Sequence, residues 1–321
     1  MQVNKPRALG PGHLSDADIR LLRVFRAVAD CGGMAAAELE LNMATSTISR
    51  HIKDLETRLG LTLCRRGRAG FALTPEGERV YAETARLLAA TDAFRASIDD
   101  LHRRMGGELH VAVFDKTASN PAARIAQALA AFAAQAPDVH LNLHVGTLSA
   151  IERGVMDGRF ALGIIPEHRR SQSLRYDELF GETMLLYCGA AHPLWAADDA
   201  RLDWPELSAH AFAGLGYHSP NMEVVHARGL QRAATGFDQE AVATLILSGA
   251  FIGFLPDHYA APFVAAGQMR ALAPARLRYG CVFSAITRRS PAPSRATALL
   301  RDCLVRAHGP ITSMACLEAP R

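Results

Sequence analysis

Thr45, Ser46, Thr47, Ser49, Arg50 and Lys53 place hydroxyls and long cations together in one short stretch. A little further on, Arg65-Arg66-Gly67-Arg68 sets three more cations around a glycine. Hydroxyl and guanidinium groups hydrogen-bond to base edges, and cations grip phosphates. One helix carrying the first set and one turn carrying the second could seat in a DNA groove and clamp the flanking backbone. Arg50 could pair bidentately with guanine or grip phosphate alone. From Ala44 to Thr74 six basic residues stand against two acidic ones. That local excess of four is larger than the net charge of the whole chain, +3. A basic patch of this kind is the electrostatic footprint of nucleic-acid binding.

The surrounding sequence supplies elements to position these groups. A first helix opens at Leu14-Ser15-Asp16, with Ser15 or Asp16 as cap. Ile19, Leu22, Phe25, Val28 and Ala29 form its inward face, and Cys31-Gly32-Gly33 ends it. Met34 to Leu39 predicts a short Ala-rich helix, and Leu41 to Ala44 a turn. A third helix runs from about Thr45 to Leu59, with Ile48, Ile52, Leu55 and Leu59 facing inward. Leu61 to Cys64 and Phe71 to Leu73 read as two short strands around the basic turn, a wing.

Thr74-Pro75-Glu76-Gly77-Glu78 opens a long helix: Thr74 suits the N-cap, Pro75 the first turn, and the glutamates the helix dipole. It continues to about Arg104, a length of about 45 Å. Val80, Thr84, Leu87, Thr91, Phe94, Ile98 and Leu101 alternate spacings of four and three. That heptad seam predicts a partner helix and hence a homodimer, which would present two recognition helices to two half-sites.

After Gly106-Gly107 the pattern changes. Strands are predicted at Glu108 to Phe114, Val139 to Val145 and Phe160 to Ile165, with helices at Pro121 to Ala134 and Leu148 to Asp157 between them. This order implies a parallel sheet with right-handed crossovers, whose ligands bind at the carboxyl ends of strands. Thr117, Ser119 and Asn120 fall at such an end, just before Pro121 and the expected helix start, a setting that favours an anion. Gly146-Thr147 ends the second strand similarly. Further strands are expected at Met184 to Cys188 and Cys281 to Thr287, and a last helix at Ala296 to Ala307. Tyr217, His218 and Ser219 follow another predicted strand end and are candidate ligand contacts.

Composition narrows the class. At 321 residues, 49% hydrophobic and 21% charged, the chain suits two or three globular domains. No run of 18 apolar residues occurs, so no membrane partner is expected, and the polar N-terminus lacks a signal-peptide core. A cytoplasmic protein is expected. The six cysteines, Cys31, Cys64, Cys188, Cys281, Cys303 and Cys316, form no C-x-x-C pair and suggest neither a disulfide framework nor a metal site. No catalytic or cofactor signature is found: G-x-S-x-G, H-E-x-x-H, the Walker loop and G-x-G-x-x-G are all missing, and His258 has no evident catalytic partner.

Ala35-Ala36-Ala37-Glu38-Leu39, then Ile48-Ser49-Arg50-His51-Ile52-Lys53-Asp54-Leu55-Glu56, Leu59-Gly60, Leu63 and Leu73-Thr74-Pro75-Glu76-Gly77 resemble the LysR-type transcriptional regulators. The likeness covers nearly the whole chain. It implies a multidomain fold: an α winged helix-turn-helix (14–74), a dimerising linker helix (75–105), and an α/β domain resembling periplasmic binding proteins (106–321). The last would comprise subdomain I, about 108–166 and 270–309, and subdomain II, about 167–269. The resemblance further implies an effector pocket between the subdomains, a helix-to-strand return near Gly253, and a homotetramer. Effector-induced change in the angle between subdomains would then alter operator-bound geometry, and loop chemistry suggests a carboxylate effector. The alternative is a small-molecule-binding module with weakened DNA binding, supported by Ala44 and Thr45, which depart from the family pattern. Ala44 stands where a capping Ser is usual, a loss of about 1 kcal/mol unless Thr45 takes over. Thr45-Ser46 replace a common Gln-Pro pair, and Cys64 replaces a wing phenylalanine.

Overall fold

A computed structural model describes residues 14–67, 70–101, 105–216 and 225–309. The chain divides into two compact units, with the boundary at Arg95/Ala96. In the first, α1 (Asp16–Asp30) is fixed at its start by a capping box between Ser15 and Asp18. Phe25 and Val28 are fully buried against Ile48, Ile52 and Leu55 of α3 (Thr45–Leu59). Truncating a buried phenylalanine of this kind costs about 3–5 kcal/mol.

The second helix, α2, spans Ala37–Leu41 rather than Met34 to Leu39. Gly32 and Gly33 take positive φ values of 70° and 154°, and residues 34–36 complete the turn they begin. Asn42 then adopts the left-handed conformation as the C-cap of α2, which aims the chain into α3. Gly60, at φ 67°, ends α3 as predicted.

The wing is the antiparallel pair β1 (Cys64–Gly67) and β2 (Gly70–Leu73), with Arg65 opposite Ala72 and Arg66 opposite Phe71. Thr74 caps α4 (Pro75–Leu101): its hydroxyl accepts from Gly77 N–H at 2.9 Å and donates to the Thr62 carbonyl at 2.6 Å. Gly77 is required here, because an added Cβ would lie 1.9 Å from the Leu63 carbonyl oxygen. The expected seam of α4 divides in two. Val80 and Leu87 pack against the α1/α3 core, whereas Phe94 is 67% and Ile98 38% exposed.

The second unit carries a nine-stranded mixed sheet in the order β4-β3-β5-β11-β6-β9-β7-β8, with β10 added on β6. Its first part follows the predicted pattern. Parallel β3 (Gly107–Phe114), β4 (Val139–Gly146) and β5 (Leu162–Pro166) are linked by α5 (Ile125–Gln135) and α6 (Leu148–Met156). Two long antiparallel strands follow in the sheet, β11 (Arg278–Arg288) and β6 (Leu174–Gly189). Both exceed the lengths read from sequence. The remaining part holds α7 (Trp204–Ser208), β7 (Phe212–Leu215), β8 (Arg232–Gly236), α8 (Gln239–Leu247), β9 (Ile252–Pro256), α9 (Asp257–Ala265) and β10 (Met269–Ala271). The last helix, α10 (Arg295–His308), packs with Leu300, Cys303 and Leu304 buried. Phe180 and Phe283 stack with centroids 4.8 Å apart where β6 and β11 pair in the core.

One expected boundary is corrected. Helix α5 begins at Ile125, not Pro121. Asn120 builds a turn instead: its Oδ1 accepts from Ala122 N–H at 2.9 Å and its carbonyl from Ala123 N–H. The Arg124 N–H at the head of α5 donates to His308 Nε2 at 2.9 Å. These amides therefore have protein partners, and the sequence argument for an anion at this helix start loses its footing.

Candidate functional site

The candidate recognition surface lies on α3. Ile48, Ile52 and Leu55 anchor one face in the core. Ser46, Arg50, Lys53 and Thr57 are exposed and recur at spacings of four, three and four, which puts them on one opposite stripe. Thr45, Thr47 and Ser49 flank that stripe and are half-buried. Thr57, which the sequence reading passed over, extends the stripe by a turn; its hydroxyl donates to the Lys53 carbonyl at 2.8 Å. The helical period alone could have found it. In the wing, Arg65 is exposed on β1. Arg68 lies outside the described residues.

Three tertiary contacts hold this surface in place. Arg58 of α3 pairs with the buried Asp18 of α1 at 2.7 Å. Asp18 is held below the usual carboxylate range, first by the Ser15 hydroxyl and also by Arg58, against the opposing effect of burial. Glu56 accepts from Leu63 N–H at 2.8 Å and so ties α3 to the start of the wing. At the helix start, Ala44 offers no cap, and Glu38 of α2 accepts from both the N–H and the hydroxyl of Thr45.

The second cluster gathers where the loop after β3 meets α8 and α9. Lys116 stands in the left-handed region at φ 59°, a conformation that costs a non-glycine residue about 1–3 kcal/mol. Its ammonium pairs with Glu240 at 2.7 Å and lies 4.9 Å from the centre of the Tyr259 ring. Tyr259 donates to the same Glu240 oxygen at 2.8 Å. The Glu240 bond raises the Lys116 pKa, and the Lys116 bond, then the Tyr259 bond, lowers that of Glu240. Burial, with help from Glu240, pushes the Tyr259 phenol up to about 12.

Beside this pair, Asp115 accepts from Gln239 N–H at 2.9 Å at the head of α8. Gln239 is buried, and its Oε1 has no hydrogen-bond partner among the described residues. Ser119 lies 2.9 Å from His258 Nδ1, and His258 Nε2 lies 2.8 Å from Glu182. His258 is thus not a lone histidine.

The sequence-predicted ligand residues are distributed unevenly around this cluster. Ser119 belongs to it. Thr117 is buried in the same short turn, and Asn120 donates to the Gly181 carbonyl at 3.2 Å. Thr147 serves as the N-cap of α6, accepting from Ala150 N–H at 3.4 Å. Gly253 is buried in β9, where an added Cβ would lie 2.8 Å from the Ala213 carbonyl oxygen; that close approach explains the glycine. Tyr217, His218 and Ser219 lie outside the described residues. Asp115, Lys116, Glu182, Gln239, Glu240, His258 and Tyr259 were missed. The Asp115-Lys116 pair was findable, since it directly follows a strand's carboxyl end.

Comparison with known proteins agrees with this geometry. Residues 19–78 match the bacterial regulatory helix-turn-helix protein, lysR family, and residues 102–309 match the LysR substrate binding domain. The HTH-type transcriptional activator BauR of Pseudomonas aeruginosa is 41% identical over 290 residues, spanning 90% of this chain and 95% of that protein. The SDS degradation transcriptional activation protein of a Pseudomonas species is 29% identical, spanning 89% and 96%. Among solved structures, full-length CbnR complexed with its target DNA superposes with a TM-score of 0.58 at 23% identity, covering 90% of this chain and 99% of that one. At that identity the match speaks for the fold. The chain belongs to the LysR family of transcriptional regulators: a DNA-binding regulator with a C-terminal effector-binding domain. The relatives named here are regulators of transcription, not enzymes.

Proposed function

We propose that this regulator is switched by a small anionic effector, a carboxylate, bound where Lys116 meets α8 and α9. The observation that supports this reading most is the Lys116–Glu240 pair at 2.7 Å. Glu240 places a carboxylate on the ammonium, from α8 to the loop after β3, across the boundary we propose between the two halves of the domain. An effector carboxylate would take that place, release Glu240, and let the halves rotate. It shifts the equilibrium only by the difference in its affinity for the two arrangements.

The rotation would be transmitted to DNA through a homodimer joined by α4, with tetramer formation by the same chain in the cytoplasm. Exposed Phe94 and Ile98 support the α4 contact, as does a neighbouring apolar groove of 540 Å³ lined by Leu14, Leu22, Leu59, Leu61, Val80 and Leu87. Ser46, Thr47, Ser49, Arg50, Lys53, Arg65, Arg66 and Arg68 are proposed to face DNA, and Thr117, Ser119, Asn120, Thr147, Tyr217, His218, Ser219 and Gly253 to surround the effector.

The test is calorimetric titration of the full-length protein with a panel of short carboxylates and matched amides, on the parent and on Lys116→Ala. Binding of a carboxylate but not its amide, lost in Lys116→Ala, is expected. Equal binding by the two proteins would refute the role of Lys116.

A further inference from the structure

The start of α3 presents an unusual arrangement. A helix start leaves its leading N–H groups without intrahelical partners. Ala44 has no side chain to satisfy them. Glu38 reaches across from α2 instead, and one of its carboxylate oxygens accepts both the Thr45 N–H and the Thr45 hydroxyl proton. These contacts, the hydroxyl first, hold the Glu38 carboxyl below its usual range.

Two consequences follow for DNA recognition. A threonine hydroxyl has one proton, and here it is directed at Glu38, so Thr45 cannot donate to a base or a phosphate. A free N–H at a helix start attracts a phosphate, whereas this one is already bonded to a negative charge. The next exposed residue, Ser46, begins the stripe that runs through Arg50 and Lys53 to Thr57.

We propose that Glu38 is a positioning residue for DNA reading. It removes Thr45 and the leading amide of α3 from the interface, and so assigns base discrimination to the Ser46–Arg50 face. The carboxylate replaces the cap that Ala44 lacks and at the same time repels a phosphate from that spot.

The experiment uses the full-length protein and a random pool of double-stranded oligonucleotides. The sequence selected by each variant is determined, and its affinity is compared with single-base variants at several salt concentrations. Thr45→Ala keeps the N–H bond to Glu38; it is expected to select the parental sequence with discrimination within about threefold. Ser46→Ala and Arg50→Ala are expected to lose about tenfold or more at the pairs they contact, in the range of a good base contact. Glu38→Ala frees the Thr45 hydroxyl and amide. It is expected to change the preferred base nearest the start of α3 and to steepen the salt dependence, as one negative charge leaves the phosphate path. Glu38→Gln retains an acceptor for Thr45; it should share the salt effect but keep the parental sequence. Two results overturn the proposal: loss of discrimination in Thr45→Ala as large as in Ser46→Ala, or an unchanged sequence and salt slope in Glu38→Ala. Should Glu38→Ala fail to fold, Thr45→Ala and Glu38→Gln decide the matter, since a purely structural Glu38 would leave the salt slope of Glu38→Gln at the parental value.

Discussion

His258 Nε2 meets the Glu182 carboxyl group across a buried contact of 2.8 Å. The Ser119 hydroxyl fixes this arrangement. It lies 3.0 Å from the Lys116 carbonyl, which can only accept, and 2.9 Å from His258 Nδ1. Both contacts are hydrogen bonds only when Ser119 donates to the carbonyl and Nδ1–H donates to Ser119. The same hydrogen-bond direction points the Ser119 proton away from the imidazole, so this serine, histidine and glutamate are not arranged as a nucleophile and its base.

The titration of Glu182 follows from its burial. Burial raises its pKa above the ordinary 4.5, and the His258 bond offsets part of the rise. The folded protein therefore holds a proton that the unfolded chain releases above 4.5, so this group's stabilising contribution is complete below that pH and declines as pH rises through the folded value. In Glu182→Gln the decline is absent. Melting temperature followed from pH 4.5 upward should fall more steeply in the parent than in the variant; parallel curves would contradict the burial argument.

Arg50 and Lys53 share one stripe of α3 but differ in what they are expected to read. Replacing Arg50 with Ala should relax discrimination at one or two base pairs by about 1–3 kcal/mol. Replacing Lys53 with Ala should weaken binding to all sequences alike and reduce the slope of log affinity against log salt by about 0.9. Fluorescence titration of one site and its single-base variants over a salt series separates the two.

Gly77 allows α4 to cross the backbone before the wing. A methyl group there would lie 1.9 Å from the Leu63 carbonyl oxygen, and backbone has little room to yield. Gly77→Ala should destabilise the N-terminal unit by about 1–3 kcal/mol or more, although alanine ordinarily favours a helix. Denaturant unfolding monitored by circular dichroism measures it; a gain in stability would mean that the wing shifts freely.

Phe94 and Ile98 expose large apolar surface on α4. If they meet a second copy, Phe94→Glu places a charge in that contact and should lower the oligomer at micromolar concentration. Leu39, 95% exposed on α2, provides the control, and Leu39→Glu should leave the oligomer unchanged. Light scattering on the eluting protein distinguishes these cases.

The N-terminal unit was legible because its signals are local. Helical spacing gave α1 and α3, Gly60 gave the end of α3, and Thr74-Pro75 gave the start of α4. The start of α2 was misread because alanines favour helix equally at Ala35 and Ala37, while the preceding glycines decide where the turn ends. Strand β6 has 16 residues against the five expected, because its start carries the charged Arg175, Asp177 and Glu178 in place of an apolar run, and pairing with β11 is what extends it there.

The sequence by itself determined the family, the order of the N-terminal elements and the exposed polar stripe of α3, since these depend on patterns within one helix or one strand. Tertiary structure alone decided which groups meet: Glu38 with Thr45, Lys116 with Glu240 at a separation of 124 residues, and Ser119 with His258 at 139. The physical reason is that a side-chain contact across elements depends on sheet register and helix placement, which neither partner's neighbouring residues encode.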